Sequence, residues 1–171
     1  MSFCKAKPRK TQKIDTKNNL ALIPKKHNFV PIETNKATMT YTHKVHYYET
    51  DAQGVTHHSN YIRIMEETRV YAMEQMGFSY ERMEREGVYS PVMSVTCDYK
   101  RPTTFADIIE VQISVAELSQ LKAKFAYTMT SNGKIVCQAT SLHCFLNSEG
   151  RPVVIADRFP EFYKALSELV F

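Results

Sequence analysis

The chain has 171 residues, enough for one domain with a sizeable core, and its 43% apolar content is ordinary for a globular protein. No apolar run approaches the ~18 residues needed to span a bilayer, which excludes a membrane-spanning helix. The net charge of +4 is unevenly placed: residues 1–38 hold nine Lys or Arg against two acids, so the rest of the chain is net acidic.

Segment 1–38 is polar, is interrupted by Pro8, Pro24 and Pro31, and has no sustained apolar period, so a disordered basic tail is expected. A transit peptide and a start at Met39 stay open as readings of it. A nucleic-acid arm would need aromatic residues among the charges as a stacking platform, and no nucleic-acid partner is expected. The folded domain is expected over 39–171. The four cysteines, Cys4, Cys97, Cys137 and Cys144, show no C-x-x-C pairing, and the last three fall in strand-like segments. Reduced core thiols and a cytoplasmic location follow as expectations.

From Tyr41 the pattern is regular. "YTHKVHYYE" (41–49) alternates as a strand would, with Val45 and Tyr47 on one face. "SNYIRIMEETRVYAMEQMG" (59–77) sets Tyr61, Ile64, Met65, Thr68 and Ala72 along one helical face, closed by Gly77, with Met65, Met73 and Met76 as core packing. In "PVMSVTCDYKRP" (91–102), Met93, Val95, Cys97 and Tyr99 alternate with polar residues as in a half-buried strand. "ADIIEVQISVAEL" (106–118) repeats the pattern with Ile109, Val111, Ile113 and Val115. Two further strands follow, joined at Asn132-Gly133, a hairpin signal because both turn positions want positive φ. Phe125, Tyr127 and Met129 share one face of the first, and "PEFYKALSELVF" (160–171) closes the chain as a short amphipathic helix.

The expected order is strand, helix, four strands in meander, then a terminal helix. One helix cannot cover five antiparallel strands unless the sheet curls, so an α+β domain is expected, with a curved antiparallel sheet wrapped around a central helix. Its open edges call for a partner copy, hence a homo-oligomer.

The strand-to-helix gap in "YYETDAQGVTHHSNY" (47–61) holds an acid, a glycine and two histidines. Asp51 reads equally as a turn residue or as a reactive carboxylate. His43 and His46 are expected on opposite strand faces and His57 and His58 to diverge, so no metal site is expected. Lys100 and Arg101 suit either the phosphates of a ligand or protection of a sheet edge. No G-x-S-x-G elbow is present.

The string Asp51-Ala52-Gln53-Gly54-Val55, then His58-Ser59-Asn60-Tyr61 with Glu66 beyond, resembles the YbgC-like acyl-CoA thioesterases of the 4-hydroxybenzoyl-CoA thioesterase family. "YKRPTTFADIIEV" (99–111) is similar to that family's strand-turn-strand segment, and the likeness covers roughly 41–165. It implies the hotdog fold, a homodimer or homotetramer, no cofactor, and hydrolysis of an acyl-CoA or acyl-carrier-protein thioester. Asp51 would then be base or nucleophile, and the His58 N–H would face the developing oxyanion while its ring orients Asp51 or water. Gly54 and Val55 would lie along the substrate, Tyr61 would line the acyl or pantetheine channel, and Lys100 and Arg101 would meet CoA phosphates. Glu66 and Glu67 stay open as helix-borne assistants or solvated residues, and Tyr61 as plain core. The chemistry asks for little more, because a thiol with pKa near ~8.5 leaves without an acid. A non-catalytic acyl-CoA or acyl-carrier-protein binding module is the alternative; it has no need of a carboxylate at Asp51.

Overall fold

The computed structural model describes residues 39–170. The basic segment 1–38, Cys4 within it, and Phe171 lie outside the described residues. In chain order come β1 (Met39–Lys44), a 3-10 turn (Tyr47–Glu49), α1 (His58–Gln75), α2 (Tyr80–Arg85), β2 (Val88–Tyr89) and β3 (Val92–Tyr99). Then follow β4 (Ile108–Leu118), β5 (Lys122–Ser131), β6 (Lys134–Cys144), β7 (Leu146–Asn147), α3 (Ile155–Arg158) and α4 (Pro160–Glu168).

Five strands form one antiparallel sheet in the order β1-β4-β5-β6-β3. α1 packs against β1 and β3, the two opposite edges, as well as β4. A single helix reaches both edges only because the sheet curls around it. The anticipated stripe of α1 is the buried one: Tyr61, Ile64, Met65, Thr68 and Ala72 are each at most 3% exposed. They face Ile109, Val111, Ile113 and Val115 of β4 and Phe125, Tyr127 and Met129 of β5, all buried. Each large apolar side chain so buried contributes roughly 1.5–3 kcal/mol. Asn132 and Gly133 take φ of 50° and 69°, the left-handed pair that the β5–β6 hairpin requires.

Three expectations are corrected. The meander holds only for β4-β5-β6, since β3 pairs with β6 on the far edge and not with β4. The first strand stops at Lys44, because the Glu49 carboxylate accepts the His46 N–H at 2.7 Å and bonds His43 Nε2 at 2.9 Å, which holds the chain in a 3-10 turn. Val45 is therefore buried while Tyr47 is 78% exposed, so the two do not share a face. The same turn brings the His43 and His46 rings to 5.8 Å edge-on, and the His57 and His58 rings lie 4.1 Å apart instead of diverging. Among the described residues no group of three or more His, Cys, Asp or Glu is placed to hold a metal ion.

A polar chain crosses the core. The Arg69 guanidinium donates to Tyr80 Oη at 2.5 Å and to Tyr127 Oη at 3.5 Å. Arginine only donates, so Tyr127 accepts there and passes its own proton toward Ser141 Oγ at 3.0 Å. Ser141 in turn donates to His143 Nε2 at 2.8 Å, leaving Nδ1–H to point at the Ser90 carbonyl at 3.4 Å. Burial, with Arg69 adding to it, pushes His143 down to about 4.

Candidate active site

The loop between the 3-10 turn and α1 is built by its own hydrogen bonds. Asp51 N–H donates to the Val55 carbonyl and Gly54 N–H to the Asp51 carbonyl, each at 2.9 Å. The Gln53 N–H donates to Asp51 Oδ1 at 2.7 Å, so one carboxylate oxygen fixes the turn. Among the described residues nothing hydrogen-bonds Oδ2. Gly54 sits at φ +75°, which explains glycine at that position.

A second set of bonds seats the mouth of α1. The Glu49 carbonyl accepts the His57 N–H at 2.8 Å and Asn60 Nδ2–H at 2.7 Å. Thr56 N–H donates to the Thr103 carbonyl at 2.8 Å, and the two threonine hydroxyls meet at 2.7 Å. His57 caps the helix, with Nδ1 facing Ser59 N–H and Oγ. The His58 N–H, first of the helix, has no acceptor among the described residues. It is one of the unpaired donors at the positive end of an 18-residue helix.

Asp51 and His58 open on one cavity of about 370 Å³, lined also by Val55, Thr56, Tyr61, Tyr99, Lys100, Arg101 and Pro102. Of the residues expected to be catalytic or to meet substrate, Asp51, Val55, His58, Tyr61, Lys100 and Arg101 are in that lining and Gly54, at its positive φ in the loop, is not. Tyr61 is both core and wall. It is 3% exposed, its hydroxyl bonds Thr103 Oγ1 at 3.0 Å, and burial pushes its ionisation up, so the phenol stays neutral. Its ring meets that of Tyr99 edge-on at 5.2 Å, and Tyr99 Oη donates to the His58 carbonyl at 3.0 Å. Lys100 pairs with Asp98, and Arg101 Nη1 donates to the Ile135 carbonyl at 2.8 Å, with both side chains exposed at the rim.

Glu66 and Glu67 face elsewhere. They line a separate cavity of about 320 Å³ with Tyr41, Val70, Tyr71 and Glu74. Glu67 is held there by His43 Nδ1 at 3.1 Å and Tyr41 Oη at 3.2 Å. Sequence reasoning did not single out Thr103, Asn60 or Glu49, which position the loop and helix, nor Tyr99 as a wall. For Thr103 and Tyr99 the available signal was their place in the stretch 99–111, which carries the second half of the resemblance.

The chain is similar to several known proteins. A crystal structure of a hypothetical protein from Aquifex aeolicus is 34% identical, covers 77% of this chain and 98% of its own, and superposes with a TM-score of 0.69. DHNA-CoA thioesterase from Staphylococcus aureus is 26% identical over 77% of this chain and 89% of its own, with a TM-score of 0.73. A 1,4-dihydroxy-2-naphthoyl-CoA hydrolase of Synechococcus elongatus is 27% identical over 105 residues, 60% of this chain and 77% of that protein. The curled sheet around α1 is the hotdog fold of these thioesterases. With residues 45–168 matching its family model, the chain belongs to the Thioesterase-like superfamily.

Proposed function

We propose that this protein hydrolyses an acyl-CoA thioester to the free acid and CoA, with Asp51 as the catalytic carboxylate and the His58 N–H as oxyanion donor. The observation that carries the reading is the shared cavity: Asp51, with one carboxylate oxygen uncommitted among the described residues, and His58, whose N–H has no acceptor among them, line the same space. Family membership supports thioester hydrolysis, and the names of the Staphylococcus and Synechococcus relatives support a CoA thioester as substrate.

In this mechanism the thioester carbonyl enters beside Val55 and Thr56 with its oxygen toward the mouth of α1. Asp51 either attacks the carbonyl carbon itself, forming an anhydride that water then hydrolyses to the free acid, or takes a proton from a water that attacks. Negative charge then grows on the carbonyl oxygen, where the His58 N–H and the helix dipole stabilise it; one such donor is typically worth about 3 kcal/mol of barrier. The thiolate of CoA leaves unaided, so no acid is required on the far side. Tyr99 and Tyr61 wall the acyl or pantetheine arm, and Lys100 and Arg101 at the rim meet the phosphates.

A homo-oligomer is part of the same proposal. Val92, Met93 and Tyr99 on the open edge strand β3 are 44–50% exposed, a surface a second copy would cover. No described helix is long and apolar enough to cross a membrane. The three described cysteines are free thiols, which supports a cytoplasmic setting. Thiol release from a panel of acyl-CoAs, with an acyl-carrier-protein thioester beside it, tests the function. Release from at least one member is expected, whereas tight acyl-CoA binding without release from any would establish a binding module instead.

A further inference from the structure

His43 is a buried titratable residue of β1 that the mechanism above does not use. It is 6% exposed and lies opposite Ile109 of β4. Its two ring nitrogens reach two different elements. Nε2 stands 2.9 Å from Glu49 Oε2 of the 3-10 turn, and Nδ1 stands 3.1 Å from Glu67 Oε2 of α1. Each of those oxygens already accepts another donor: the His46 N–H at 2.7 Å on Glu49, and the Tyr41 hydroxyl at 3.2 Å on Glu67. Burial and the Glu67 charge push the Tyr41 ionisation up, so the phenol keeps the proton it donates. Both carboxylate oxygens therefore face His43 as acceptors, and only the imidazolium carries an N–H for each. The remaining titratable neighbour is the His46 ring, edge-on at 5.8 Å.

Glu49 gives this bridge its consequence. Its side chain is 5% exposed, and a carboxylate so buried needs a counter-charge; among the described residues His43 is the cation within reach. The main chain of the same residue holds the helix: the Glu49 carbonyl accepts the His57 N–H at 2.8 Å and Asn60 Nδ2–H at 2.7 Å. Glu49 is thus tied through its side chain to β1 and through its carbonyl to the mouth of α1. Asp51 follows two residues later and His58 comes directly after His57, so both proposed reacting groups hang from this junction. His43 itself does not line the cavity and acts only through Glu49.

We infer that His43, as an imidazolium bridging Glu49 and Glu67, is a positioning residue that fixes the mouth of α1 and the Asp51 loop relative to β1. The inference rests on the thioesterase reading for what is positioned, but the bridge itself is a matter of protons and hydrogen bonds. A charge-assisted bond on each side of the ring is stronger than the neutral bond it replaces, so loss of either charge loosens the junction.

The test combines nitrogen NMR of isotope-labelled histidine, amide hydrogen exchange and single-turnover thiol release, all on the full-length protein near neutral pH. In the wild type both ring nitrogens of His43 are expected to carry protons. In Glu67→Gln, where an amide takes the place of the carboxylate, Nδ1 is expected to lose its proton; a histidine that merely fills space would show no such change. His43→Gln should speed exchange of the His57 N–H and slow the chemical step, each by about tenfold or more, with Kd for acyl-CoA within a few-fold of wild type. Glu67→Gln should move both in the same direction by a smaller factor. The Glu67 side chain is 46% exposed, so this variant decides the matter should His43→Gln fail to fold. An unprotonated ring nitrogen in the wild type, or His57 exchange unchanged in both variants, would overturn the inference. Absence of thiol release by the wild type from any acyl-CoA would remove the thioesterase reading, and the ring protons and the exchange rates would still decide on the bridge.

Discussion

Acidification offers a quantitative test of the buried polar chain under α1. His143 is wholly inaccessible, accepts from Ser141 at Nε2 and shares the core with the Arg69 guanidinium, so protonating it places two cations together in the interior. Its folded value near 4 lies below the unfolded value of 6.5. Between those values the unfolded chain binds a proton that the folded chain refuses, so stability is complete above 6.5 and is lost as pH falls toward 4. A separation of that size is worth on the order of 3 kcal/mol, a large share of the ~5–15 kcal/mol that stabilises a domain. Urea unfolding at pH 7 and near pH 4.5, followed by tyrosine fluorescence because the chain has no Trp, measures the loss. Carboxylates titrate in part of the same window, so the decisive quantity is the difference between wild type and His143→Gln. The variant should be less stable at pH 7 yet lose less on acidification, by roughly 2–3 kcal/mol. Equal acid losses in the two proteins would refute the assignment of a neutral, buried His143.

Other expectations bear on the site itself. Asn60→Ala deletes the 2.7 Å bond to the Glu49 carbonyl; it should cost about 1–2 kcal/mol in urea unfolding and lower kcat as the helix mouth loosens. His58→Ala should reduce kcat far less than a change at Asp51, since the donor at this position is main chain; a loss as deep would make the imidazole essential. Lys100→Ala and Arg101→Ala should raise KM for acyl-CoA while leaving kcat within about threefold, and steady-state kinetics separates the two. Equal effects on a substrate truncated to remove the nucleotide would take the phosphates out of the explanation.

Much of this architecture could be read from the chain because its signals are local. The stripe from Tyr61 to Ala72 repeats at helical spacing, apolar residues recur at every second position over Ile109–Val115 in β4 and Ala123–Met129 in β5, and Asn132-Gly133 names its own turn. Alternation says which way a side chain points but not which strand it pairs with, so the passage of β3 to the far edge was not legible. The early end of β1 was hidden because it depends on Glu49, a residue beyond the strand, gathering donors from His43 and His46. α2 is six residues long, capped by Ser79 and anchored by Met83, too short to establish a period. The site follows the same division. Asp51, His58 and Tyr61 were legible because one loop and one helical turn carry them together. Thr103, which ties Thr56 and Tyr61 to that loop, lies more than forty positions away in sequence, and a neutral threonine in a loop carries no signal of its own.

Asp51 has two duties in the proposed mechanism: one oxygen fixes the loop, and the other, uncommitted among the described residues, is left for the reaction at the cavity that Asp51 lines. Asp51→Asn keeps the oxygen that accepts the Gln53 N–H while removing the charge and the basicity. Single-turnover thiol release by wild type and Asp51→Asn, at saturating acyl-CoA, is the most direct measurement. The expected result is a fall of about a hundredfold or more in the chemical step, with Kd for acyl-CoA within a few-fold of wild type and unfolding unchanged. Near-native release by the variant would remove Asp51 from the chemistry and with it the proposed mechanism.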